Sequence, residues 1–192
     1  MTPDETTSRP AAPPAVRIAD YDPAWPGRFA GLASGLRAAL GPVAQRIDHI
    51  GSTAVPGLAA KPIIDVQVSV AALEPVAPFR QPLEDLGYVY RADNTERTKR
   101  YFREPPGGRR THIHVRRAGS FSEQFPLLLR DYLRADPQAA AGYQAVKQRL
   151  AARYPSDRHA YADAKVPYFW ELIRRADAWA QRTGWEPGPS DA

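Results

Sequence analysis

The residues from His49 to Val68 constrain the fold more than any other part of this sequence. They form a run of small residues, HIGSTAVPGLAAKP, followed by the apolar segment IIDVQV. Gly51 permits a tight turn and a close approach of the backbone to a ligand, and Ser52 offers a hydroxyl beside a free amide. Asp65 interrupts the apolar segment, where a charge is costly unless it is paired, binds a metal or lies at an open strand end. This arrangement suits a nucleoside triphosphate with its metal ion.

A second polar group is predicted on a later strand. Residues two apart on a strand share a face, so Asp65 shares its face with Gln67, and His112 shares its face with His114. If the strands 63–70 and 111–116 are neighbours, these four side chains gather at one end of a sheet. A single strand histidine is usually a structural residue, but two on one face favour a functional role.

The positive charge of the chain is concentrated between Glu96 and Arg117. This segment holds eight Arg and Lys residues against two Glu residues, so it accounts for the whole excess behind the net charge of +5. Such a concentration attracts anions. The alternative is a solvated hairpin. Because Tyr101 and Phe102 are its only aromatic residues, a compact anionic ligand is expected rather than long nucleic acid.

The periodicity of the remaining sequence predicts an α+β domain. We expect a short edge strand at 16–19, helices at 24–40 and 75–86, and strands at 43–50, 63–70, 88–90, 100–103 and 111–116. Three amphipathic helical stretches then form a C-terminal helical lobe, the last broken or kinked at Pro167. The predicted architecture is a mixed β-sheet flanked by helices, with residues 1–15 as a disordered extension, 16–183 as one domain and 184–192 as a flexible tail.

Composition excludes several classes of protein. The chain has no cysteine, which excludes disulfides and thiolate metal sites. It has no apolar run of the ~20 residues that span a bilayer and no signal-peptide pattern, so a cytoplasmic location without a membrane partner is expected. Walker A and Gly-x-Gly-x-x-Gly motifs are also absent, which sets aside the P-loop and Rossmann classes.

Five motifs together resemble the GrpB family, whose members have a nucleotidyltransferase-like fold. The resemblance covers roughly residues 16–180, and its motifs are Tyr21-Asp22-Pro23-Ala24-Trp25-Pro26, Gly51-Ser52, Lys61-Pro62-Ile63-Ile64-Asp65, His112-Ile113-His114 and Arg130-Asp131-Tyr132-Leu133-Arg134. The resemblance implies a Gly-Ser turn that binds phosphates. It also implies two carboxylates spaced two apart, with a third acid on a later strand, that hold one or two magnesium ions on a triphosphate.

The chain departs from that superfamily pattern at two places. Gln67 stands at the second carboxylate position, and His112 and His114 stand where the third acid is expected. We therefore expect Asp65 and His114 to be catalytic, and Asp65, Gln67 and His114 to hold a divalent ion. Magnesium or manganese is expected, with zinc as an alternative that suits imidazole ligands. No organic cofactor is expected.

Further residues are candidates for contact with the phosphates. They are Gly51, Ser52, Lys61, Lys99, Arg100, Arg109 and His112. For Lys61 and each arginine a solvated surface charge is the alternative, and His49 could either orient the Gly51 turn or serve as a structural residue. Lys147 and Lys165 lie on helical faces, where exposed charge is expected in preference to ligand contact.

Two functions from different classes follow. The first is metal-assisted transfer of a nucleotidyl group from a nucleoside triphosphate to an unknown acceptor, which the retained Gly51, Ser52 and Asp65 favour. The second is a non-catalytic module that binds a nucleotide or another phosphorylated metabolite, which Gln67 favours. Because domains of this family occur fused to dephospho-coenzyme A kinase, coenzyme A precursors are conceivable ligands. The oligomeric state stays open.

Overall fold

The protein, seen in a computed structural model that describes residues 15–192, is built on one five-stranded sheet. The strands are β1 (Arg46–Ile50), β2 (Ile64–Val70), β3 (Val89–Tyr90), β4 (Lys99–Arg103) and β5 (Thr111–Arg117), in the order β1-β2-β5-β4-β3. β2 and β5 are parallel, and the other neighbours are antiparallel. The mixed sheet confirms the predicted fold class. The disordered extension expected over residues 1–15 falls, except for Ala15, outside the described residues.

Two helices cover one face of the sheet. α1 (Trp25–Leu40) and α2 (Ala77–Asp85) pack on the alternate apolar residues of β2 and β5. Val66, Val68 and Ile113 in this layer are completely buried. These strands carry apolar side chains on one face and polar side chains on the other. This alternation has a period of two residues, and it is the pattern that predicted the strands.

Three helices form the C-terminal lobe on the other side. They are α3 (Phe121–Ala135), α4 (Pro137–Arg153) and α5 (Arg158–Thr183). Their shared core includes Tyr132, Tyr143 and Leu172, and it takes in Val55 and Leu58 from the loop before β2. This loop therefore ties the lobe to the sheet, and the polar sheet face opens between them.

Two sequence expectations about the C-terminal third need correction. Of the break or kink expected at Pro167, the break is wrong, because α5 is one helix of 26 residues that continues through this residue. Proline removes one helical hydrogen bond and its ring crowds the carbonyl four residues earlier, and the packing of α5 against α3 and α4 offsets that cost. The tail expected to be flexible instead lies against β1, where the side chains of Ser190 and Asp191 accept hydrogen bonds from the amides of Ile47 and His49.

No helix among residues 15–192 is both long enough and apolar enough to cross a membrane.

Candidate functional site

Asp65 lies at the centre of the polar face of the sheet. Its Cα is paired with that of His112 across the parallel β2–β5 ladder, and the next pair on the same face is Gln67 with His114. The Oδ1 atom of Asp65 lies 3.1 Å from Nδ1 of His112 and 3.2 Å from Nε2 of His114. The prediction that Asp65 and both histidines share one face of neighbouring strands is confirmed.

The Gly51 turn lies directly against Asp65. Gly51 has φ 73°, and a Cβ added there would stand 2.7 Å from Oδ2 of Asp65. The backbone of the turn and the carboxylate are therefore as close as a residue without a side chain allows. Ser52 follows and lines the same space as Asp65.

His49 supports the turn from behind. Its ring stacks on Phe29 with a centroid separation of 4.7 Å, and its Nε2 lies 3.0 Å from Oγ1 of Thr53. The Thr53 hydroxyl in turn donates to the carbonyl of Ile63, just before β2. Burial lowers the pKa of His49 to about 4, so the ring is neutral. His49 thus holds the turn in place and does not face the ligand space.

The protonation states of the central cluster suit a metal ligand set. Burial raises the pKa of Asp65, but the hydrogen bonds from His112 and His114 outweigh that effect and keep the carboxyl ionised. Burial lowers the pKa of His114 to about 4, although Asp65 opposes the shift. Neutral His114, whose Nε2–H donates to Asp65, keeps its free electron pair on Nδ1, and a metal bound through Nε2 would replace that hydrogen bond.

Asp65, His112 and His114 each offer one ligand atom, and these atoms lie within 4.8 Å of one another. Nε2 of His112 and Nδ1 of His114 are buried with no hydrogen-bond partner among residues 15–192. One carboxylate with two imidazoles is a donor set that fits a divalent transition metal such as manganese or zinc better than magnesium. The residues present therefore fit a single divalent ion.

Gln67 does not join this cluster. The side chain is fully buried, its amide oxygen accepts from Arg116 at 2.9 Å, and its Nε2 donates to the carbonyl of Glu123 at 3.0 Å. A metal at the Gln67 oxygen would lie beside the positive guanidinium of Arg116, which opposes binding of a cation there. The structure therefore gives no support to Gln67 as a ligand, because its carboxamide serves to hold a buried guanidinium.

A basic cavity of about 160 Å³ opens on one side of Asp65. Its cationic wall consists of four side chains, Lys61, Lys147, Arg158 and Lys165. None of the four forms an ion pair with a carboxylate of residues 15–192. Burial followed by repulsion from Lys165 and Arg158 lowers the pKa of Lys61 to about 8, and burial lowers that of Lys147 to about 7. Such crowding of like charges produces a positive potential that attracts anions.

An apolar cavity of about 220 Å³ opens on the other side of Gly51. Its walls include Phe125, Leu129 and Phe169 from the helical lobe and Arg116 from β5. Ser52, Asp65, Tyr143 and Lys165 line both cavities. Asp65 therefore lies where the basic cavity meets the apolar one.

Three predicted phosphate-binding residues lie away from these cavities. Arg100 points to the α1 side of the sheet and pairs with Glu74 at 2.6 Å. Arg109 lines a separate cavity between α1 and the start of β2. Lys99 shares the face of His114 but pairs with Glu96 at 2.5 Å. The charge-rich segment is thus divided between both faces, because alternate strand residues point in opposite directions.

Comparison with known proteins identifies the family. The family profile described as GrpB protein matches residues 15–175. The chain belongs to the GrpB family.

Two relatives of this GrpB protein are each about twice its length. It is 37% identical to a dephospho-CoA kinase of Mycolicibacterium paratuberculosis, over 94% of this chain and 51% of that protein. It is 35% identical to UPF0157 protein YqkA of Bacillus subtilis, over 92% of this chain and 50% of that protein. The chain therefore spans about half the length of these two relatives.

The crystal structure of conserved protein GrpB from Enterococcus faecalis is 33% identical, with a TM-score of 0.77 over 85% of this chain and 99% of that one. Cid1 poly(U) polymerase, in a structure described as bound to Mg 3′-dATP, has a TM-score of 0.51 at 16% identity, over 77% of this chain and 49% of that one. This likeness concerns the fold, which is nucleotidyltransferase-like as expected.

Sequence reasoning missed several residues of the site. Lys147 was expected to be an exposed helical charge, yet it is buried and donates to the carbonyl of Ala59. Lys165, Arg158 and Arg116 were not predicted either. The rarity of lysine was a signal in the sequence for these residues. The chain has four lysines among 26 basic residues, and three of the four line the basic cavity.

Proposed function

We propose that this GrpB protein binds a nucleoside triphosphate and transfers its nucleotidyl group to an acceptor with the help of one divalent metal ion. The observation that carries the proposal is the basic cavity, in which four cationic side chains with no carboxylate partner among residues 15–192 adjoin the ionised Asp65. A polyphosphate supplies the several negative charges that this wall lacks. The shared fold with Cid1 is an analogy and carries less weight than the site itself.

Each residue has a task in this scheme. Lys61, Lys147 and Lys165 bind the phosphates, and Ser52 offers its hydroxyl and amide to the same group. Asp65, His112 and His114 would hold the metal ion, which, when bound, neutralises charge on the phosphates. Gly51 leaves the room that brings the turn and the carboxylate together.

The test is release of pyrophosphate by the purified protein. Each nucleoside triphosphate is incubated with magnesium, manganese or zinc and a panel of hydroxyl acceptors. We expect metal-dependent release that falls at least a hundredfold in Asp65→Asn, because loss of charge at a preorganised electrostatic site costs that much. Asp163→Asn, an exposed carboxylate on α5, is the matched control. Release that persists in Asp65→Asn would show that the reaction does not depend on this carboxylate.

The second candidate is a binding module without turnover. The observation in its favour is Gln67, which leaves Asp65 as the one carboxylate of the cluster and is itself occupied by Arg116. The relatives named dephospho-CoA kinase make dephospho-coenzyme A a ligand worth testing in this case. Titration calorimetry that detects nucleotide or dephospho-coenzyme A binding, with no pyrophosphate from any metal, would favour this module over the enzyme.

A further inference from the structure

Arg116 is the most unusual charged residue of the site. The residue is 4% exposed, and the one side-chain hydrogen bond of its guanidinium within residues 15–192 goes to the neutral Gln67. Its Nε is buried without a partner, and burial lowers its pKa. A buried guanidinium without an anion is costly, and proteins rarely keep one unless a ligand completes it.

None of the carboxylates near Arg116 supplies the missing anion. Glu96, Asp65 and Glu123 attract the guanidinium from a distance, but none of them forms an ion pair with it. Glu123 instead accepts from the Ser69 hydroxyl at 2.7 Å and from the Gly119 amide at 2.9 Å. The guanidinium lines the apolar cavity, with its Cζ 6.0 Å from the ring centroid of Phe125.

We propose that the apolar cavity binds a second ligand beside the nucleotide, an acid whose carboxylate or phosphate is held by Arg116 and whose apolar part packs on Phe125 and Phe169. The proposal rests on the proposed function only in taking the neighbouring ligand to be a nucleotide. The rings of Phe125 and Phe169 meet edge to face at 6.0 Å, and Leu129 closes the same wall. Gln67 is then a positioning residue, because its amide fixes the guanidinium toward the cavity.

The size of the cavity limits the ligand. At about 220 Å³ it is smaller than the usual range for drug-sized ligands, so it suits a single ring or a short aliphatic chain with one anionic group. Two other cations line this cavity: Lys165, at the wall shared with the basic cavity, and Arg130, which pairs with Asp131 and Asp191. An uncharged molecule of the same shape would leave Arg116 unpaired, so charge should decide binding.

The experiment compares three probes of one shape by titration calorimetry in the absence of nucleotide. Phenyl phosphate and phenylacetate carry the anion, and 2-phenylethanol is neutral. We expect at least one anionic probe to bind at least tenfold more tightly than the alcohol, and this preference to disappear in Arg116→Gln. The better anion of the two identifies the ligand as a phosphate or a carboxylic acid. Arg117→Gln, which changes the exposed neighbouring arginine, should leave the preference intact.

Two further measurements keep the outcome unambiguous. If Arg116→Gln does not fold, Arg116→Lys and the comparison of probes on the parent protein serve instead, with nuclear Overhauser contacts between probe and Phe125 locating the ring. Equal binding of acid and alcohol, contacts elsewhere, or no binding of any probe would overturn the proposal. Failure of the proposed function would be separate, since it would show as absence of nucleotide binding in the parent or its insensitivity to Lys147→Met.

Discussion

At the scale of single residues, Gly51 shows how closely the site is packed. Its backbone has φ 73° and ψ −171°, a region that only glycine adopts readily, and its missing Cβ leaves room for Oδ2 of Asp65. Gly57 also has a positive φ, of 78°, but an added Cβ there would meet nothing within 4 Å. A side chain at either glycine would strain the backbone, but only one at Gly51 would also crowd the Asp65 carboxylate.

We expect Gly51→Ala to lower the free energy of unfolding by about 2–4 kcal/mol, with strain and the Asp65 contact both contributing. Gly57→Ala should lower it by about 1–2 kcal/mol from strain alone. Urea denaturation measures both values, and manganese titration should show weaker binding in Gly51→Ala only. Equal losses of stability in the two variants, with equal manganese affinity, would mean that Asp65 moves away freely.

Under the proposed function, Lys147 and Lys61 would give nucleotide binding a pH dependence. Burial lowers their pKa values to about 7 and about 8, so each is positive below that pH and neutral above it. We expect affinity for ATP to fall as pH rises through this window, and Lys147→Met to lose the step near 7. Ionisation of ATP is common to both proteins, so the difference between their profiles isolates Lys147. Superimposable profiles would exclude Lys147 from the phosphate site.

At the scale of elements, the C-terminal tail completes β1. The hydroxyl of Ser190 both accepts from the Ile47 amide and donates to its carbonyl, and Asp191 accepts from Arg130 at 2.9 Å. These contacts satisfy part of the free edge of the sheet. The sequence predicted a frayed tail because proline, glycine and polar residues carry no local signal for docking on a distant strand edge.

We expect Asp191→Ala to destabilise the protein by about 1–3 kcal/mol, because the buried Arg130 loses one of its charged partners. Glu186→Ala, an exposed change on the same tail, should cost less than about 0.5 kcal/mol. Hydrogen exchange should also become faster at the His49 amide, which donates to Asp191. An unchanged exchange rate there would show that the tail does not remain on β1.

At the scale of the whole molecule, the sequence predicted the sheet far better than the lobe above it. Strand periodicity placed Asp65, His112 and His114 on one face because neighbouring residues on a strand alternate strictly. Lys147 and Lys165 were missed because a helical pattern shows which residues are apolar, but not which polar face a lobe turns toward a sheet. Arg100 and Arg109 lie away from Asp65, which a local count of charge could not foresee because it ignores the two faces of a hairpin.

A thermal-shift experiment can compare the lysines of the basic cavity with the arginines of the 96–117 segment. Binding to the folded state alone stabilises it by about 2.7 kcal/mol at a ligand concentration of 100 Kd, which for a chain of this size raises Tm by roughly 5–10 °C. We expect ATP to produce such a shift in the parent protein and in the variants Arg100→Ala and Arg109→Ala. Both arginine side chains lie away from the two cavities that Asp65 lines. The double variant Lys147→Met/Lys165→Met should lose most of the shift. Thermal unfolding followed by circular dichroism measures all four proteins, each with and without ATP. If the two arginine variants lose the shift and the double lysine variant keeps it, the phosphates bind along the basic segment of 96–117 and not in the basic cavity.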